Sequence, residues 1–107
     1  MNLRELAKNL ELEEEELLEL IDLFLKTTSS ELMKFQTALK NKDRLVAETM
    51  AHSIKGAAGS LGLTDIYEAA KRIETAARGN RLEEMDEDIR TIGRNLDLIT
   101  ESLMMFS

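Results

Sequence analysis

The sequence predicts an all-α fold, an antiparallel up-down four-helix bundle with a short extra helix at the amino terminus. Three observations lead there. The 107 residues are rich in Leu, Glu, Ala and Lys, with no proline and only five glycines, a composition that favours helix. Apolar residues recur at steps of three and four along most of the chain, whereas alternation of period two never persists, so no strand is expected. Turn-forming residues fall between the periodic stretches and leave only short connections, which force neighbouring helices antiparallel.

Each element follows from local signals. A short helix before residue 10 is expected to lie against one end of the bundle. Leu17, Ile21, Phe24, Leu32, Phe35 and Leu39 keep a spacing of about 3.6 residues and predict one long helix, or two shorter ones broken at Thr28. The acidic cluster at 13–16 suits a solvated helix start, where carboxylates meet the positive end of the helix dipole. Asn41, Lys42 and Asp43 offer a turn, with Asp43 as the N-cap of the next helix. That helix has Val46, Met50, Ile54, Ala57 and Leu61 on its expected core side and ends at Gly62. Thr64 or Asp65 is the expected cap of the following helix, whose core face is Ile66, Ala70, Ile73 and Ala77 and whose end is Gly79-Asn80. Leu82, Met85, Ile89, Ile92, Leu96, Ile99, Leu103 and Phe106 alternate steps of three and four, the seam of a helix packed in a bundle.

Length and charge bound the function. A chain of this size is expected to form one domain over residues 1–107, burying roughly 65% of the surface its unfolded form exposes. With no cysteine and one histidine, disulfides, thiolate metal sites and cysteine nucleophiles are excluded, and no all-protein metal site is expected. The net charge of −7 repels nucleic-acid backbones and anionic lipid surfaces, so neither is an expected partner. The densest apolar stretch, 17–25, is interrupted by Glu19 and Asp22, and the amino terminus lacks a continuous apolar segment. Neither a signal peptide nor a membrane span is expected, which leaves the cytoplasm by default.

The candidate chemistry lies on the third helix of the pattern. At about 100° per residue, with His52 at zero, the core set from Val46 to Leu61 clusters on the far side. Leu45, Glu48, Thr49, Lys55, Gly56 and Gly59 fall within about 60° of the histidine by the same geometry and form a stripe expected to face outward. Of the apolar residues, only Leu45 is large enough on this stripe to dock a partner; further docking contacts are expected from neighbouring helices, around Phe35 and Leu39. Glycine inside a helix costs about 1 kcal/mol relative to alanine, and Gly56 and Gly59 beside one histidine leave room for another molecule to approach. Lys55 is one turn away, where its ammonium can meet an anion on the ring. A neutral imidazole has a nucleophilic nitrogen that accepts a phosphoryl group without a metal of its own, and a nearby lysine offsets the added charge. Phosphohistidine is labile, so such a site suits relay better than storage. On the next helix, Lys71, Glu74 and Arg78 could border the histidine. One reading has Glu74 orient the imidazole through a hydrogen bond; a solvated charge is the expectation there.

The segment 51–63, AHSIKGAAGSLGL, resembles the signature of histidine-containing phosphotransfer (HPt) domains: histidine, lysine three residues on, glycine four on and glycine ten on. The resemblance covers essentially the whole chain, including residues 32–43 before the motif and residues 69–74 after it, and is strongest over residues 43–80. It implies a cytoplasmic phosphorelay module in which His52 receives a phosphoryl group from the aspartate of one receiver domain and passes it to that of another. Lys55 matches the charge-stabilising lysine, Gly56 the clearance glycine and Gly62 the helix-terminating glycine. Response-regulator receivers and hybrid sensor histidine kinases are the implied partners, with magnesium supplied by the receiver and no cofactor in this chain. One departure is visible: many members have Ser where this chain has Ala57, a core-side position on the helical wheel, so little effect on transfer is expected.

Two other readings compete. The dimerisation and phosphoacceptor part of a sensor kinase would need an ATP-binding domain, for which the chain has neither a glycine-rich loop nor the length; a monomer is expected instead. A non-catalytic helical adaptor would use the same surface only to bind a receiver or another protein.

Overall fold

The computed structural model describes residues 1–106, apart from the side chains of Leu82 and Phe106. Those two expected seam positions therefore lie outside the described side chains. Helix α1 (Leu3–Asn9) is followed by α2 (Glu14–Lys40), α3 (Arg44–Leu61), α4 (Thr64–Arg78) and α5 (Asp86–Phe106), with a single 3₁₀ turn, Leu82–Glu84, before α5. Among the described residues there is no strand. The four long helices form the bundle, 41 × 21 × 19 Å along its principal axes, and Leu6 of α1 reaches Gly62 at the end where α3 turns into α4.

The boundaries follow local chemistry. The Asn2 side chain accepts from the Glu5 amide at 3.1 Å and starts α1. At the start of α2, the Glu16 carboxylate accepts from the Glu13 amide at 3.0 Å, so the acidic cluster caps free amides as well as meeting the dipole. Helix α2 is continuous, because Thr28 is fully buried among Leu17, Ile21, Phe24, Phe35 and Ala38 rather than marking a break. The Asp43 side chain caps α3 by accepting from the Val46 amide at 3.2 Å.

Two turns build the hairpins around α4. Gly62 ends α3 in the left-handed region, φ 71°, and the Leu63 amide bonds back to the Ala58 carbonyl at 2.9 Å, as glycine-ended helices commonly do. Leu63 is itself buried and occupies the cap position of α4 without a side-chain hydrogen bond, so Thr64 is already helical. The expected cap at Thr64 or Asp65 is thus one or two residues late: burying Leu63 fixes where the helix starts. At the other end it is Asn80, φ 57°, rather than Gly79, that takes the left-handed conformation.

Helix α4 packs as expected, with Ile66, Ala70, Ile73 and Ala77 buried, and Met85, Ile92, Leu96 and Ile99 do the same for the α5 seam. Helix α3 does not. Its buried residues are Ala47, Ala51, Ile54 and Ala58, whereas Val46 is exposed and Met50, Ala57 and Leu61 are half-buried. The helix is turned by about 70° from the expected orientation at 3.6 residues per turn. Both helices of the α3–α4 pair bury several alanines, Ala47, Ala51 and Ala58 on α3 and Ala69, Ala70, Ala76 and Ala77 on α4, and small side chains let two packed helices approach closely.

Candidate functional site

The turned α3 decides what surrounds His52. The ring is still on the surface, with 69% of its side chain exposed, but the edge of its stripe nearest α4 is drawn into the seam between the two helices. Lys55 is only 24% exposed and Glu74 of α4 only 6%. Glu74 Oε2 is 2.7 Å from His52 Nδ1, and Lys55 Nζ donates to Oε1 at 2.6 Å. A carboxylate only accepts, so the shared proton is on Nδ1 and the lone pair is left on Nε2.

Glu74 is therefore not the solvated charge expected of it. Burial pushes its carboxyl upward, but hydrogen bonds from Lys55 and His52, together with the Lys55 charge, outweigh this and hold it below the usual carboxylate range. Arg78, one turn on, bridges two carboxylates: its Nε donates to Glu48 Oε1 at 3.0 Å and its Nη2 is 3.5 Å from Glu74 Oε2. Glu48, and then Glu74, raise the Arg78 guanidinium further above its ordinary value. Arg44 meets Glu48 from the other side at 3.5 Å. The result is a chain of alternating charge, Arg44, Glu48, Arg78, Glu74 and Lys55, with His52 attached to its buried carboxylate.

The remaining stripe residues divide into two groups. Leu45 is exposed, and the Thr49 hydroxyl donates to the Leu45 carbonyl at 2.8 Å, within its own helix. At Gly56 nothing lies within 4 Å of where a Cβ would stand, so the backbone beside the imidazole is open. Gly59 differs, because a Cβ there would be 3.2 Å from Tyr67 Cδ2. That glycine admits an α4 ring rather than a visiting molecule. Glu48, too, faces α4 through Arg78 instead of standing free. On the far side of the histidine, the Ser53 hydroxyl donates to the Glu31 carboxylate and joins α3 to α2. Of the docking positions expected around Phe35 and Leu39, Phe35 is in the core and Leu39 is half-buried against it. The large apolar side chains that α2 does expose are Leu20, Leu23 and Met33.

Sequence reasoning underrated Glu74 and left Tyr67 unmentioned, yet a signal for both exists. A tight antiparallel hairpin pairs residues equidistant from its turn, and His52 and Glu74 lie eleven residues on either side of Leu63. Gly59 and Tyr67 lie four on either side, and Glu48 and Arg78 fifteen.

Comparison with known proteins agrees with this geometry. The family model described as the Hpt domain matches residues 19–103. The crystal structure of histidine-containing phosphotransfer protein B (HptB) from Pseudomonas aeruginosa PAO1 is similar, with a TM-score of 0.82 and 25% sequence identity over 95% of this chain and 89% of that one. No curated protein matches the chain. A buried carboxylate on one ring nitrogen, a free nitrogen on the other and open backbone beside it suit a group that takes up and hands on a phosphoryl moiety. The chain belongs to the Hpt domain family, the histidine phosphotransfer modules, as distinct from kinases, of two-component phosphorelays.

Proposed function

We propose that His52 Nε2 is the phosphoacceptor of this module, taking the phosphoryl group from the aspartyl phosphate of one receiver domain and giving it to the aspartate of another. The observation that carries this reading is the 2.7 Å contact between Nδ1 and the buried Glu74 carboxylate on a ring that is otherwise exposed. The Nε2 lone pair attacks phosphorus, the new N–P bond forms, the acyl P–O bond breaks, and the receiver carboxylate leaves with its electron pair. The proton on Nδ1 stays, so the phosphorylated ring carries positive charge, which the Glu74 carboxylate stabilises as carboxylates do for other imidazolium intermediates. The reverse sequence discharges the ring onto the next aspartate.

Lys55 is assigned the added phosphoryl charge, and magnesium is assigned to the receiver. Leu45, Thr49 and Gly56 form the open border of the ring where the receiver is proposed to dock, with Glu48 and Gly59 supporting that border through Arg78 and Tyr67. A hybrid sensor histidine kinase is the proposed source of the phosphoryl group by way of its own receiver, and the module itself is assigned no kinase activity. We take it to work as a monomer and as a single domain in the cytoplasm. Among the described residues, no helix is long and apolar enough to cross a membrane.

The test mixes purified protein with a phosphorylated receiver and follows acid-labile, base-stable label. Wild-type protein should take up label, and His52→Gln should take up none. Label retained by His52→Gln would move the acceptor elsewhere. Receiver binding without any transfer to the wild-type protein would make the chain an adaptor.

A further inference from the structure

The site as described has one weakness as a phosphoryl holder. Its only cation assigned to the phosphoryl group, Lys55, is largely withdrawn from solvent and donates to Glu74 at 2.6 Å. A phosphoryl group on Nε2 brings close to two negative charges to a place where the nearest ammonium is already paired. The register of the α3–α4 hairpin supplies a second one. Along α4, Tyr67, Lys71, Glu74 and Arg78 follow steps of four, three and four, a single helical stripe. Three of the four touch α3: Tyr67 against Gly59, Glu74 against His52 and Lys55, and Arg78 against Glu48. The fourth, Lys71, lies eight residues beyond Leu63, just as Lys55 lies eight before it. Lys71 thus stands level with Lys55 and the open backbone of Gly56, on the same outer side of the hairpin as the histidine ring. It is exposed, and among the described residues its ammonium has no ion pair or hydrogen bond. Glu68 and Glu74, one turn away on either side, leave it unpaired.

We propose that Lys71 is a phosphoryl-binding residue, the second cation that holds the phosphoryl group on His52. The proposal rests on His52 being the acceptor. Lysine suits the role because a compact ammonium on a flexible four-carbon stem can swing to an anion that is present only part of the time. Lys55 is already held by Glu74 at 2.6 Å, whereas the Lys71 ammonium has no partner among the described residues until the phosphoryl group arrives, and nothing stands within 4 Å of where a Gly56 Cβ would be.

The experiment loads wild-type, Lys71→Ala and Lys71→Arg proteins with phosphoramidate, whose P–N bond breaks with loss of ammonia as phosphorus bonds to Nε2. Phosphorus NMR then follows the titration of the bound phosphoryl group at low and high salt. A neighbouring ammonium favours the dianion, so Lys71→Ala should raise the phosphoryl titration midpoint by about half a pH unit at low salt. Lys71→Arg should restore the wild-type midpoint, and high salt should shrink the difference. A purely structural role for Lys71 would not move this titration. Identical midpoints in the wild-type and Lys71→Ala proteins would overturn the proposal while leaving His52 as acceptor. A wild-type protein that takes no phosphoryl group on His52 would overturn both.

Discussion

The carboxylate of Glu74 stands 2.7 Å from Nδ1 of His52 and reaches Lys55 with its other oxygen at 2.6 Å, so one buried group orients the nucleophile and occupies its cation. The two functions are separable. In Glu74→Gln, one carbonyl oxygen can still accept from Nδ1, but the amide NH₂ turned toward Lys55 releases the ammonium. Phosphoryl uptake should fall only a few-fold, and the phosphohistidine should last longer once Lys55 is free. Glu74→Ala removes both and should slow uptake by roughly tenfold to a hundredfold, the range typical of losing the carboxylate partner that fixes a histidine's tautomer and orientation. Single-turnover transfer from a phosphorylated receiver measures uptake, and decay of the isolated phosphoprotein measures lifetime.

Acid should weaken the fold through the same residue. A carboxyl held below its unfolded pKa contributes stability that is complete above the unfolded value and is lost as pH falls through the folded one. Glu74 is such a group. Wild-type protein should therefore lose more stability than Glu74→Gln as pH falls below about 4.5. Urea denaturation of both proteins at several pH values checks this, and parallel curves would mean the pairing does not favour the folded state.

The two glycines beside the histidine should respond differently to alanine. Gly56→Ala meets no neighbour, so it should stabilise the helix by up to about 1 kcal/mol while slowing transfer, because the methyl group narrows the approach to the ring. Gly59→Ala places its methyl 3.2 Å from the Tyr67 ring, so the propensity gain is offset by the few tenths of an ångström that the ring must give. Thermal unfolding of the two variants should separate them, with Gly56→Ala the more stable.

The orientation of α3 is open to direct test by paired substitutions. Ala47 is fully buried and Val46 is exposed. Ala47→Leu should cost about 1–3 kcal/mol or more through overpacking, whereas Val46→Ser should change stability by no more than about 0.5 kcal/mol. Chemical denaturation measures both. The reverse order would restore the orientation that the apolar pattern alone suggests.

The number and order of the helices, the Asp43 cap and the Gly62 turn were legible because each depends on residues within a few positions of one another. The same is true of the stripe that puts His52, Lys55 and Gly56 together, since helical periodicity alone sets it. Thr64 was misread as a cap because the burial of Leu63, a tertiary fact, moved the start of α4.

By itself, the sequence determined the all-α class, the helix limits to within a residue or two except at the last helix, where a 3₁₀ turn over Leu82–Glu84 delays α5 to Asp86, and the spacing of histidine, lysine and glycine on one surface. Only the tertiary structure decided which arc of α3 is buried, that Glu74 joins His52 to Lys55, and that Gly59 lies beneath Tyr67. The physical reason is that periodicity fixes which side chains share a face, but not which of two adjoining apolar arcs a neighbour covers. Hydrophobicity favours the larger Val46 and Met50, yet the arc that α3 buries is the one with Ala47, Ala51 and Ala58, whose small side chains allow a close helix approach. That choice also carries the charged edge of the histidine stripe against the carboxylate of the next helix.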